Sequence, residues 1–338
     1  MIIIRPIRNS DYDVLHQIAV ESGHGFTSLP VNEELLLSRI NRATKSFHTA
    51  IENCGDEGYL FVMEDTATGE VVGTTAIETA VGLHDAFYHY HVGKVVHSSR
   101  ELNIHNTVET LTLNNDYTGT SELCTLYLRD NYRVNNNGRF LSKCRMLFMA
   151  EHTKRFNNTI IAEMRGVSDE NGNSPFWQWL EEHFFSLDFP TADYLTGIGK
   201  KEFIAELMPK YPIYVSLLSK EAQKVIGQVH QYTVPALRLL ENEGFVNRGY
   251  VDIFDAGPTV EAELKTIKTV RNSMRLKVQV GEVQGTTKAM ICNTKVKNFR
   301  AVQMPIEINQ DDNTAIIDQK TAEALQITDG DFVRVAKS

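Results

Sequence analysis

Residues 121–156 read SELCTLYLRDNYRVNNNGRFLSKCRMLFMAEHTKRF, and the fold turns on how this run is parsed. Glu122–Leu128 is short, apolar and rich in strand formers, so it reads as a buried strand. Phe140, Leu141, Cys144, Leu147 and Phe148 recur at three- and four-residue steps, one apolar stripe of a helix ending near Lys154 and Arg155. Between them, Arg133-Val134-Asn135-Asn136-Asn137-Gly138-Arg139 is dense in residues that tolerate left-handed backbone angles. A strand, a turn that aims successive N–H groups one way and a helix N-terminus together favour an anion such as a pyrophosphate. On these residues alone, an ordinary Asn-rich strand-to-helix connection is an equally good reading.

Working outward, Ile2–Arg8 reads as a first strand, with Asn9-Ser10-Asp11 capping a helix that carries Val14, Leu15, Ile18 and Ala19. Gly23–Pro30 breaks that helix, and a second starts near Asn32 with Leu35, Leu36, Ile40 and Ala43 on one face. Tyr59–Glu64 and Val71–Thr79 form a hairpin. Thr159–Met164 is the next strand, and Ser174-Pro175 opens a capped helix. Phe184–Phe189 reads as a further strand. Thr233, Pro235 and Gly244 punctuate another helix. From Leu276 onward the texture is short β runs with glycine turns, ending in the Asp329-Gly330 turn signal.

The spacing Arg133-x-x-Asn136-x-Gly138 resembles the acyl-CoA binding turn of the GNAT acyltransferases, with Asn136 where glycine is usual. The element order also resembles that superfamily. The expected class is therefore a mixed α/β fold, a GNAT-like sheet flanked by helices. Residues 1–190 would form an acyl-CoA-binding domain, 191–270 a second, degenerate GNAT-like half carrying His230, and 276–338 a small β-rich module. One domain with a long insertion is the alternative for 191–270.

Length and composition bound the function. The chain has 338 residues, 42% of them hydrophobic, and a net charge of −9. That is enough for a sizeable core, and the acidic balance argues against nucleic acid or an anionic membrane as main partner. Cys54, Cys124, Cys144 and Cys292 show no paired spacing and read as reduced thiols. No apolar run approaches membrane-spanning length. A cytoplasmic protein is expected.

Several runs together resemble the bacterial arginine N-succinyltransferase family. They include Thr27-Ser28-Leu29-Pro30, Ser121–Leu126, Ala162–Val167, Ser174–Gln178, Phe203–Pro209, Val225–His230 and Tyr250–Thr259. The resemblance covers the chain to about residue 270 and is thin beyond it. It implies succinyl-CoA as donor, with no tightly bound cofactor, and the α-amino group of L-arginine as acceptor. N2-succinylarginine and CoA would be the products, in the first step of arginine degradation by that pathway.

The resemblance also assigns a proton-donating role to the position of His230 and succinyl-CoA binding to that of Leu126. An imidazole suits proton transfer near neutral pH, although a lone histidine beside a helix is also a common structural feature. Leu126, with Leu128 on the same strand, would act through main-chain groups facing the donor's pantetheine and thioester carbonyl. Arg133, Asn136, Gly138 and Arg139 are the expected pyrophosphate cradle. Recognition of arginine needs acid near its guanidinium, for which Glu122 and Asp116 are the candidates, with Ser28 as a neighbouring hydroxyl. His89 and His91 would share a strand face, but no third metal ligand is spaced to join them. A homodimer, or pairing with a related subunit, is the expected assembly. An inactive binding subunit is the rival outside enzymology.

Overall fold

In chain order the strands are β1 (Ile2–Pro6), β2 (Gly58–Asp65), β3 (Glu70–Glu78), β4 (His89–Ser99), β5 (Ile104–Asn114), β6 (Ser121–Leu128), β7 (Thr159–Glu163) and β8 (Ile213–Tyr214). Then come β9 (Val246–Val251), β10 (Pro258–Glu263), β11 (Met274–Val280), β12 (Lys288–Asn293), β13 (Ala301–Pro305), β14 (Glu307–Asn309), β15 (Thr314–Ile317) and β16 (Phe332–Lys337). The computed structural model describes residues 1–23, 28–197, 202–309 and 311–337, so residues 24–27 of the expected helix break at Gly23–Pro30 lie outside the described residues. Among those described, all sixteen strands join in one sheet, ordered β14-β15-β11-β16-β12-β13-β1-β2-β3-β6-β7-β10-β9-β4-β5-β8.

The helices are α1 (Tyr12–Ser22), α2 (Glu33–His48), α3 (Asn137–Glu151), α4 (Pro175–Leu180), α5 (Phe189–Gly197), α6 (Glu202–Leu207), α7 (Lys220–Val225), α8 (Val234–Glu243), α9 (Lys268–Asn272) and α10 (Gln319–Leu325). Local chemistry explains their ends. Asn32 caps α2 by accepting from the Leu35 N–H at 3.1 Å, and Leu36, Ile40, Ala43 and Phe47 form its buried stripe. Pro235 opens α8, and Gly244 closes it at φ 101°, an angle glycine reaches without strain.

The order β1, two helices, the β2–β3 hairpin, β6, a loop and α3, then parallel β7, is the GNAT-like mixed sheet expected from the sequence. The division at residue 190 needs correction. β10 pairs antiparallel with β7 along Thr259–Glu263 and also with β9, so the strands of 246–263 complete the sheet begun by β1. Leu240, Phe245, Val260 and Ala262 lie in the same core as Ile4, Phe61 and Phe148. The intervening helices build a second core around Trp177 and Phe254, which also takes in Tyr90 and Leu111 from β4 and β5. Residues 191–270 therefore do not bury a core of their own. The chain to 270 is one sheet with insertions, the alternative reading.

One further expectation changes. Residues Glu181–Phe185 form a π-helical turn rather than the start of a strand, and the Trp177 indole N–H donates to the Leu187 carbonyl at 2.7 Å. The strand expected to carry His89 and His91 is β4, and it pairs with β5 in a long hairpin whose outer half is dominated by polar residues.

The β-rich tail is a third core, yet it is not appended loosely. β13 pairs with β1 through Ile3 and Ile4, and β12 and β16 cover α3. Enclosed by the tail on one side and by β3, β6, α8 and α9 on others, α3 is buried well beyond its apolar stripe, down to Lys143 and Arg145. Lys143 Nζ meets Glu243 Oε1 at 2.7 Å, and Glu243 Oε2 accepts from the Thr269 N–H, so one buried carboxylate ties α3, α8 and α9 together. Lys143→Met strands that carboxylate, and the expected cost is about 3–5 kcal/mol. Urea unfolding measures it; a loss below about 1 kcal/mol would mean the pair contributes little.

Candidate active site

The parallel contact between β6 and β7 is brief. Ser121 pairs with Ile160 and Glu122 with Ile161, after which β6 follows β3 and β7 follows β10. Between the diverging strands opens a cleft of about 680 Å³, walled by Leu123–Tyr127 on one side and Ala162–Arg165 on the other. Ser142 and Arg145 of α3 and Ala236 and Leu240 of α8 line it as well.

Inside the cleft the β6 backbone bulges. Thr74 pairs with Tyr127 and Ala76 with Cys124, so Thr125 and Leu126 together face the single residue Thr75. Thr125 sits at φ 56°, an angle a β-branched residue rarely adopts. Such a bulge frees main-chain groups from the ladder and re-aims them. Strain of this kind collects at functional sites.

At the outer end, Asn135 and Asn136 take φ of 53° and 62°, and Asn136 is the N-cap of α3. The left-handed turn thus runs straight into a helix N-terminus, the expected anion cradle. Arg133 lines the cleft there, with Nε donating to the Leu128 carbonyl at 2.9 Å and a terminal nitrogen 2.9 Å from Asp130. Leu128 is itself buried, and its carbonyl holds Arg133 in place; it does not line the cleft. Asn136, Gly138 and Arg139 are not among the residues that line the cleft, and the Arg139 Nε is buried without a hydrogen-bond partner.

At the inner end the cleft meets a smaller pocket of about 200 Å³, and Ser28, Glu122, Glu163, Asp252 and Phe254 line both. Phe87 and Tyr88 add aromatic walls. Burial and the nearby Glu163 and Glu78 push the Glu122 carboxyl up to about 8, against the opposing charge of Arg39. His89 is fully buried, with Nε2 2.8 Å from Glu163 Oε1. Burial holds its imidazole at about 4, although Asp252, Glu122 and Asp116 pull the other way. The pocket is an acidic hollow with a surplus of carboxylates.

Sequence reasoning placed Ser28, Glu122, Leu126 and Arg133 on the cleft but missed Glu163, Asp252 and Arg145. Asp116 does not line the cleft, since its carboxylate accepts the Tyr250 hydroxyl at 2.8 Å in an exposed loop. His230 is buried behind the wall. Its backbone N–H donates to the Arg165 carbonyl at 2.9 Å, and its Nδ1 accepts from the Tyr232 N–H at 3.3 Å. Arg165 and Tyr232 line the cleft, and the His230 ring does not. Burial and the Arg165 charge lower the pKa of that ring, while a hydrogen bond to the Ser168 backbone favours its charged form. The His91 ring packs against Tyr250 in a tilted contact. Among the described residues, no group of three or more His, Cys, Asp or Glu side chains is arranged to hold a metal ion.

With this geometry in view, comparisons with known proteins are decisive. Residues 2–269 match the family model described as arginine N-succinyltransferase beta subunit. The chain belongs to the arginine N-succinyltransferase family. Residues 273–337 match that family's C-terminal domain, which agrees with the separate β-rich core. An Escherichia coli K12 arginine N-succinyltransferase is 48% identical over 339 residues, covering 100% of this chain and 98% of the relative. A solved Pseudomonas aeruginosa protein, described as arginine/ornithine succinyltransferase subunit AI, superposes with a TM-score of 0.91 at 35% identity. It covers 100% of this chain and 98% of its own. The protein is thus an acyltransferase that draws on an acyl-CoA. Among the described residues, no helix is long and apolar enough to cross a membrane.

The acidic hollow has a stability signature. Folded, Glu122 keeps its proton up to about pH 8, whereas the unfolded chain releases it near the ordinary value of 4.5. The folded state holds the extra proton between those values, so stability falls as pH rises through that window. Glu122→Gln is expected to raise Tm by several degrees at about pH 9 and much less at about pH 5. Equal shifts at both values would show that Glu122 does not titrate this way.

Proposed function

We propose that this acyltransferase moves the succinyl group of succinyl-CoA to the α-amino group of L-arginine, giving N2-succinylarginine and CoA. One observation carries the reading: a cleft runs from Arg133, just before a left-handed anion turn, past a strained bulge to an aromatic-walled acidic hollow. The two ends suit opposite charges. CoA brings a pyrophosphate, and arginine brings a guanidinium, which pairs well with carboxylates and stacks on aromatic faces.

In this scheme Arg133, Asn136, Gly138 and Arg139 receive the pyrophosphate, and main-chain groups at Leu126 face the thioester. The neutral α-amine adds to the succinyl carbonyl carbon, and negative charge gathers on the carbonyl oxygen. A main-chain N–H freed by the bulge at Thr125–Leu126 would stabilise that oxyanion. The C–S bond then breaks, the nitrogen gives up a proton and the departing thiolate takes one. His230 is the proposed carrier. A ring held below its ordinary pKa is neutral near pH 7, so it accepts the amine proton first and passes it on afterwards. Its path to the cleft runs through the wall formed by Arg165 and Tyr232. Glu122, Glu163 and Asp252 would hold the guanidinium, with Ser28 beside them.

The test is CoA release, followed with a thiol reagent, from succinyl-CoA or acetyl-CoA with L-arginine, L-ornithine or no acceptor. Rapid release with succinyl-CoA and arginine, and slow release with acetyl-CoA, is expected. His230→Ala should lower kcat by about 10²–10⁴ while CoA binding persists. No release with any pair would contradict the reaction, and unchanged turnover in His230→Ala would remove the histidine from it.

A further inference from the structure

A succinyl thioester differs from an acetyl one by a carboxylate at its far end, and a buried anion needs a cation. We infer that Arg145 on α3 supplies it: the guanidinium lining the cleft floor receives the distal carboxylate of a dicarboxylic monothioester and so selects the donor. This inference rests on the reaction proposed above and adds the residue that chooses between acyl groups.

Arg145 is 2% exposed, among the most buried large side chains of the protein, and it borders the cleft. Its partners are neutral: the Ser142 carbonyl at 3.1 Å, the Ser142 hydroxyl at 3.1 Å and the Cys124 carbonyl at 3.4 Å. Among the described residues, no carboxylate forms an ion pair with it. The buried Arg5 is paired with Asp11 at 2.7 Å, and the half-buried Arg334 with Glu151 at 2.8 Å. Burial lowers the Arg145 guanidinium to about 10, which still leaves it charged at neutral pH. Glu122 attracts it without a direct contact, and a buried charge hydrogen-bonded only to neutral acceptors is costly unless an anion arrives to complete it.

Position adds to the argument. The Cys124 carbonyl that Arg145 touches lies one residue before Thr125, where the bulge begins. A thioester carbonyl facing that bulge leaves the acyl tail two methylenes to span before its carboxylate. Arg145, on the cleft wall and bonded to the Cys124 carbonyl, is the cation assigned to that end. Other cations on the cleft suit this less well, since Arg133 sits at the outer mouth beside Asp130, and Arg165 bonds the Ser168 hydroxyl on the far wall. A guanidinium also offers the fork that grips both carboxylate oxygens.

The experiment compares succinyl-CoA with butyryl-CoA, a donor of the same chain length without the charge, using arginine as acceptor. The wild-type protein should favour succinyl-CoA in kcat/KM by at least about 100-fold. In Arg145→Gln that ratio should fall by at least about tenfold, with the KM for arginine little changed. Arg145→Lys keeps the charge but not the fork, and its ratio should fall between the other two; if the glutamine variant fails to fold, the lysine variant decides. A residue that merely braces α3 against β6 would slow both donors alike. An unaltered ratio in either folded variant overturns the inference. So does a wild-type protein that uses butyryl-CoA as well as succinyl-CoA, an outcome that leaves acyl transfer to arginine standing.

Discussion

Two residues of parallel pairing organise this protein. Ser121 and Glu122 meet Ile160 and Ile161, and beyond them β6 and β7 are held by different neighbours. Had the pairing continued, the sheet would be closed along its middle and no cleft could form. Instead β3 and β10 draw the strands apart, and the bulge at Thr125 turns the freed β6 edge toward the gap. The site is an interruption in a ladder whose remaining length makes it rigid. Backbone groups left unpaired in this way keep their full need for partners, which is what a ligand with amides and a thioester supplies.

Charge is arranged along the same gap with little mutual cancellation. Glu122, Glu163 and Asp252 crowd the inner pocket, and burial keeps Glu122 protonated where an exposed carboxyl would be ionised. Arg145 lies buried beside the cleft, hydrogen-bonded to neutral groups and, among the described residues, in no ion pair. Each arrangement costs stability in the empty protein, and each is relieved by a ligand group of opposite sign. Stability is recovered elsewhere, through the Lys143–Glu243 pair and the aromatic cluster of Phe47, Tyr59, Phe61 and Phe148.

The strand–turn–helix of 121–151 was legible because its signals are local: an apolar run, a cluster of asparagines and a helical stripe. So were the capped ends of α2 and α8. What escaped was non-local. Nothing in 246–263 announces that its strands return to β7, so a second half was expected where one sheet continues. The burial of Arg145 depends on α3 packing across β6, where the Cys124 carbonyl meets its guanidinium. Glu163 ends β7 and Asp252 follows β9, where an acidic residue is unremarkable until the fold sets them around one pocket. His230 was legible as a residue of interest, but its separation from the cleft by Arg165 and Tyr232 was not.

The central claim is that the gap between β6 and β7 is where the acyl-CoA lies. Amide hydrogen exchange with and without saturating CoA tests it most directly. The account predicts slowed exchange at residues 123–128 and 134–140, with β11–β16 unchanged. Protection confined to the tail module or to the β4–β5 hairpin, with the bulge and the asparagine turn unaffected, would contradict it.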